Sequence, residues 1–517
     1  MRDFLLSLGA QQWVLPALVL WPLIAALPVR LLGRDPDGKS SGLDARVLTL
    51  LALSVEAVLG FVLWSVFDPD GAGWQARVDL PWIPDIGAVF SLGVDGIAMP
   101  MVVLTAFLVP LSLIASWNNV RVRMPAFGAL VLLLTSGLVG IFTSLDLLLF
   151  YLAWELMLIP MYFLIGIWGT GASAKASLRY VLFTLVGSLL MLVAIMALWT
   201  LGGGSSFHID HLLTLKLDHR MQLLMFAAFF TAFAVKSALV PFHTWLPDAQ
   251  RAAPTLAAVA LGLKVGTYAI LRFAIPMFPA AATDPMVRSI ILVLSVIAIV
   301  YGALLAMSQD DAKRMVSYSS ISHLGFIMLG CFALTQQGVQ GAVMIMVNHG
   351  ITTSALFLLI GMLQDRGGTT SMASFGGLAR VMPMFAVLFT LSILSTIGLP
   401  GTNGFVGEFL VLIGTFGEHP ALAIIATSGV VFAAVYGLRA LQRLLFEPND
   451  SATVTQMLDL SMRERAVMAV FAIAIVWLGF VPQAVLGRSE RAVRNVVEGV
   501  HYGPNAATPS GKLSMNP

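Results

Sequence analysis

Runs of about twenty apolar residues, each bounded by charges, glycine or proline, recur along almost the whole chain. A segment of that length crosses the hydrocarbon core of a bilayer as a helix, because its backbone polar groups must satisfy one another there. The runs fall at 13–32, 46–67, 95–116, 125–144, 146–168, 176–201, 222–248, 253–277, 287–308, 312–332, 337–363, 382–416, 420–445 and 465–486. The expected fold is therefore an all-α polytopic membrane protein of about 14 transmembrane helices. Only 11% of the 517 residues are charged, against about 25% in soluble domains. A soluble enzyme domain is excluded. The net charge of +2 gives no footing for nucleic acid. The single cysteine, Cys331, can neither close an internal disulfide nor hold an iron–sulfur cluster alone. No phosphate loop, HExxH or CxxC motif occurs. The N-terminal stretch has no clear cleavage site, so the first span is expected to be retained.

Lysine and arginine orient the spans. Links after odd-numbered runs carry seventeen, among them Arg30, Arg34, Lys39, Arg46, Arg121, Arg123, Lys175, Arg251, Lys313, Arg314 and Arg366. Links after even-numbered runs carry four: Arg77, Lys216, Arg220 and Arg288. The positive-inside rule puts the first set in the cytoplasm, and both termini on the periplasmic side of a bacterial inner membrane. Arg488, Arg491 and Arg494 near the C-terminus run against this. The links 68–94, 202–221 and 446–464 are the longest, the last with room for a short surface helix. Residues 501–517 read as disordered.

Ionisable residues inside the runs are the second constraint. They are costly at membrane depth and face protein or water. Glu56 lies in the second run, Glu155 in the fifth, Lys236 in the seventh, Lys264 in the eighth, His323 in the tenth, His349 in the eleventh and Glu408 in the twelfth. Glu56 and Lys264 are open to a structural reading as ion-pair members, and each histidine to one as a hydrogen-bonded core residue. As a set, acid, amine and imidazole on successive helices are what a buried proton relay requires. Burial favours the neutral form of an ionisable group and a nearby opposite charge favours the charged form. Lys236 is thus a plausible proton-holding site and Glu155 its modulator.

Two runs look broken. The seventh carries Pro241, Pro247 and Pro254, and the twelfth Gly398, Pro400, Gly401, Gly404 and Gly407. Interrupted helices in transporters mark ion sites, often in inverted repeats. Runs 7 and 12 are five apart and so run in opposite directions, which fits a five-helix unit used twice, runs 4–8 and 9–13. The organisation that follows is 1–124 (helices 1–3), 125–280 (first repeat), 281–447 (second repeat) and 448–517 (helix 14 and tail).

The segments LAWELMLIPMYFLIGIWG, AVKSALVPFHTWLPDAQRAAPT, SQDDAKRMVSYSSISHLGF and GLPGTNGFVGEFLVLIG closely resemble the antiporter-like membrane subunits of respiratory complex I over roughly residues 90–445. The Glu of GFVGEF, where the sister L and N branches usually carry Lys, is the mark of the M branch. One departure is Gln250, where many relatives have His after LPDA. The resemblance implies two inverted five-helix repeats. It implies a relay in which Glu155 and Lys236 form the modulating pair, Lys264 and His323 carry the proton, His349 assists, and Glu408 is the terminal site. It implies no cofactor in this chain, with FMN, iron–sulfur clusters and quinone in partner subunits, and subunits L and N as neighbours in the bilayer. The alternatives are a subunit of a multisubunit cation/proton antiporter or of a membrane-bound hydrogenase, and a structural scaffold. The buried ionisable set argues against the scaffold.

Overall fold

The computed structural model describes residues 2–36, 42–71, 73–449 and 452–502; Lys39 and most of the 501–517 tail lie outside them. The chain is mostly helical. Among the described residues, 11 helices are long and apolar enough to cross a membrane, or 12 if a bent C-terminal pair counts as one. These are α1 (Ala10–Leu32), α2 (Ala45–Val66), α3 (Ala98–Ala115), α4 (Met124–Thr143), α5 (Leu147–Trp168) and α6 (Ser173–Leu201) in the first part of the chain. Next come α7 (His219–Lys236) and α8 (Trp245–Ala252), which are shorter, and the apolar segment α9 (Thr255–Met277). The series continues through α10 (Pro285–Met307), α11 (Ala312–Ala333), α12 (Gln336–Gly367), the two short apolar helices α13 (Pro383–Thr396) and α14 (Asn403–Phe416), and α15 (Pro420–Phe446). The bent pair is α16 (Met462–Phe480) and α17 (Gln483–Tyr502).

The first N–H groups of a helix have no partner within it. Here short polar side chains supply one: Asp44, Asp146, Asp218, Asp284, Asp311, Thr335 and Ser461 each accept from the following turn. At the centre stand α9, α11 and α12, buried along almost their whole length, whereas α1, α2 and α6 leave much of their apolar surface facing outward.

Three expectations are corrected. The chain is not purely helical. Residues Gln75–Ile83 (β1) and Ala88–Val94 (β2) pair as an antiparallel hairpin closed at Gly87, whose φ of 69° suits glycine. Two further two-residue strands, Gly33–Arg34 and Leu43–Asp44, pair in parallel. The hairpin alternates Val78, Leu80 and Trp82 with Arg77 and Asp79, a period-2 pattern. Arg77 pairs with Asp79 of the same strand at 2.7 Å and ties the hairpin to Asp210 at 2.8 Å. Second, the eighth run is not one regular helix: it is interrupted at Gly262–Lys264 and has a π turn at Ile270–Ala274. Third, the last run ends at Phe480 rather than 486. The chain bends by 61° into α17, whose apolar side (Val485, Val493, Val496, Val500) is buried. Arg488, Arg491 and Arg494 belong to this amphipathic helix, with the Arg488 guanidinium 4.0 Å from the Trp64 ring.

The two ends of the bundle are distinct. At one end Arg46 donates to the Trp117 carbonyl, Asn119 to Asp365, Trp168 to the Val122 carbonyl, and Arg251 pairs with Asp311. This end gathers the links rich in lysine and arginine. At the other lie the hairpin, the 202–218 link and α17. A one-turn helix, Ala452–Thr455, occupies the link after α15.

Candidate functional site

Lys236 is the last residue of α7. The free carbonyls of a helix C-terminus favour a cation there. Its Nζ donates to the Tyr180 hydroxyl on α6 at 2.9 Å and lies 4.9 Å from the Tyr180 ring and 5.7 Å from the Trp154 ring. Beyond Lys236 the chain passes through an irregular stretch and one 3-10 turn (Phe242–Thr244) before α8 begins. Glu155 on α5 acts electrostatically on Lys236, Tyr180 and Tyr151. It makes no direct ion pair with Lys236; Tyr180 is the direct partner of the amine.

Lys264 sits in the interruption of α9. Its buried amine donates to the Gly262 carbonyl at 2.7 Å, a group that the break releases from the helix. It is therefore not an ion-pair member. Gly266 follows, and a Cβ there would come within 2.7 Å of the Phe233 carbonyl oxygen and closer still to Ser237 Oγ. Glycine at this position lets α9 lie against the end of α7, so that Lys236 and Lys264 line one cavity of about 10 Å³. Gly266→Ala is expected to lower stability by about 1–3 kcal/mol through overpacking, read as a fall in the melting temperature. An unchanged melting temperature would show that the close approach is not needed.

The remaining residues converge. His349 on α12 is within electrostatic reach of both Lys264 and His323, and the two imidazole centroids are 4.8 Å apart. Thr353 Oγ1 bonds His349 Nδ1 at 2.9 Å. His323 Nδ1 lies 2.9 Å from Glu408 Oε1, both side chains buried. Glu408 is on the second turn of α14, after an irregular link at 397–402. Side chains tie this link and the start of α14 to their neighbours. Asn348 Nδ2 donates to the Asn403 carbonyl at 2.5 Å, and Ser395 Oγ to Asn403 Oδ1 at 2.6 Å. Gly398, with φ 72°, passes so near Glu408 that a Cβ would lie 2.9 Å from its Oε2. The Tyr436 hydroxyl, buried on α15, is within electrostatic reach of the same carboxyl.

The six ionisable residues thus fall in two buried groups: Lys236 and Lys264 on one cavity, with Glu155 in electrostatic reach of Lys236, and His349, His323 and Glu408 together, with His349 in electrostatic reach of Lys264. Glu56 joins neither: it is buried in α2 with neither carboxylate oxygen hydrogen-bonded. Among the described residues no group of three or more His, Cys, Asp or Glu could hold a metal ion. Sequence reasoning missed Tyr180, Asn348, Asn403 and Tyr436. A lone tyrosine or asparagine in an apolar run is too common a signal to single out.

The family model described as NADH:quinone oxidoreductase/Mrp antiporter, transmembrane, matches residues 144–434, which include all six. The chain belongs to that family. NADH-quinone oxidoreductase subunit M of Rhodobacter capsulatus is 38% identical over 95% of this chain and 97% of its own length. NADH-ubiquinone oxidoreductase chain 4 of Marchantia polymorpha is 36% identical over 94% and 97% respectively. A chain of respiratory complex I from Thermus thermophilus with bound NADH superposes with a TM-score of 0.84 at 31% identity, covering 94% of this chain and 99% of that one.

Proposed function

We propose that this chain is the M-type proton-translocating subunit in the membrane arm of an NADH:quinone oxidoreductase, and that protons cross it through Lys236, Lys264, His349, His323 and Glu408, with Glu155 as modulator. The observation that supports this reading is the succession of buried ionisable groups: two lysines on one cavity, two imidazoles 4.8 Å apart, and a carboxyl 2.9 Å from the second imidazole. An anion near an ammonium favours its charged form. A change of charge at Glu155 therefore alters how firmly Lys236 holds its proton. No step requires a redox group here, so FMN, iron–sulfur clusters and quinone belong to partner subunits, with the L and N subunits as membrane neighbours.

In this reading α7 with α8, and α13 with α14, are two further spans, each interrupted, which with α16 bring the total to 14. They are five spans apart and of opposite direction, with Lys236 before its break and Glu408 after its own. Two inverted repeats, 125–280 and 281–447, then follow the N-terminal helices 1–124 and precede 448–517. The end rich in lysine and arginine faces the cytoplasm, and both termini are periplasmic.

A tagged chain purified in mild detergent should bring with it an assembly that contains flavin and iron–sulfur clusters and oxidises NADH. Recovery of an assembly without these that exchanges cations for protons would overturn the reading in favour of an antiporter. Orientation is tested separately. In intact cells an impermeant thiol reagent should label Asp85→Cys on the hairpin and leave Val122→Cys unlabelled. The reverse pattern would invert the topology.

A further inference from the structure

Gln250 on α8 is fully buried, and neither its Oε1 nor its Nε2 has a protein hydrogen-bond partner. Ser237 Oγ, buried at the end of α7, is in the same position. Both line the cavity shared by Lys236 and Lys264, together with Thr267 and Ser320. Its volume of about 10 Å³ suits a single water molecule, which needs two to four polar partners. Two unpaired polar groups at one water-sized site, buried in a membrane protein, call for a ligand that both donates and accepts, since a buried polar group left unpaired is destabilising.

We propose that Gln250 is a positioning residue that, with Ser237, holds a water molecule between the two lysines and so completes the transfer from Lys236 to Lys264. The proposal rests on the relay reading above. In the step, the Lys236 ammonium gives a proton to the water as the water gives one of its own to the neutral Lys264 amine. Lys236 ends neutral, Lys264 ends as the ammonium, and the water is restored. The glutamine exchanges no proton. Its amide N–H donates to the water oxygen and its carbonyl accepts from a water hydrogen, which aligns the water with both amines. An amide does this without titrating, so the link keeps the same charge across the physiological pH range.

The test measures NADH-driven proton uptake by the whole complex in vesicles, alongside the amount of assembled complex. Gln250→Leu and Gln250→Met remove both hydrogen-bonding functions at similar volume; each should assemble at parental level yet pump about tenfold more slowly, as expected for loss of one buried hydrogen-bond partner. Gln250→His, whose imidazole also donates and accepts, should recover most of that loss. Lys236→Ala is measured in parallel. If it pumps normally, the relay reading itself fails. If it fails to pump while Gln250→Leu and Gln250→Met match the parent, only the role of Gln250 is overturned. Loss of assembly in both apolar variants, or no recovery in Gln250→His, would make Gln250 a packing residue and overturn the proposal as well.

Discussion

Lys236→Ala is expected to lower NADH-driven proton pumping by about two orders of magnitude or more, the size of effect that follows loss of a positioned proton-transfer group, while the complex should still assemble. The amine at the end of α7 is the donor to Tyr180 and lies within the field of Glu155. Alanine removes the amine and leaves nothing to bridge Tyr180 to the cavity that contains Lys264. Assembly should survive because α7 is packed through its aromatic side chains, Phe229 and Phe233, which are fully buried. The companion variants separate charge from proton exchange. Lys236→Arg keeps the positive charge, but a guanidinium cannot be deprotonated in a protein, so it should pump no better than alanine. Tyr180→Phe keeps the ring that faces the ammonium and removes only the acceptor oxygen. A fall of about tenfold is expected, the scale of one hydrogen bond to a charged group. Glu155→Ala should be severe and Glu155→Asp milder, because aspartate retains the charge. The measurement is the initial rate of acidification of vesicles supplied with NADH and a quinone. Parental pumping by Lys236→Ala would remove it from the path.

Glu408→Gln is expected to be as damaging as Lys236→Ala, at about a hundredfold in pumping rate. Glutamine has nearly the same shape and can still accept a hydrogen bond from His323, now 2.9 Å from the carboxyl. It cannot take up and release a proton, which a terminal site must do. The surroundings suit an exchanging carboxyl: an imidazole on one side, the Tyr436 hydroxyl within reach, and the turn at Gly398 against Oε2. Glu408→Lys should retain part of the activity, since an amine also carries a proton. Proton uptake and quinone reduction are measured together. An unchanged proton yield and rate in Glu408→Gln would mean that the path leaves the protein elsewhere.

The ionisable residues were legible because each is conspicuous in an apolar run. Lys236 in AVKSAL and Glu408 in GFVGEF need no tertiary context to be noticed. The irregular stretches after Lys236 and before Glu408 fall where proline and glycine accumulate. The interruption at Lys264 was not legible, because Gly262 and Gly266 in a helical pattern read as tolerated glycines. Their use depends on α7, whose end occupies the space that a side chain at residue 266 would need. The hairpin escaped for a related reason: its alternation is short and lies in a long link whose partner, Asp210, is more than a hundred residues away. The sequence pairs Glu155 with Lys236. The structure puts Tyr180 at the amine, because helix rotation within the bundle decides which of several nearby polar groups comes within hydrogen-bond distance.

Sequence by itself determined that the chain is a membrane protein of many helices, which of its residues are ionisable at depth, and which links share an end of the bundle. These follow from hydropathy, residue charge and the alternation of direction along the chain, all local properties. Only the tertiary structure decided which of these residues meet. His349, twenty-six residues beyond His323 in the chain, has its ring centroid 4.8 Å from that of His323 because α11 and α12 pack side by side at the centre. Proton transfer needs groups about 3 Å apart, directly or through one water. That distance is set by how glycine, asparagine and tyrosine let particular helices approach and bend, which no single run of sequence contains.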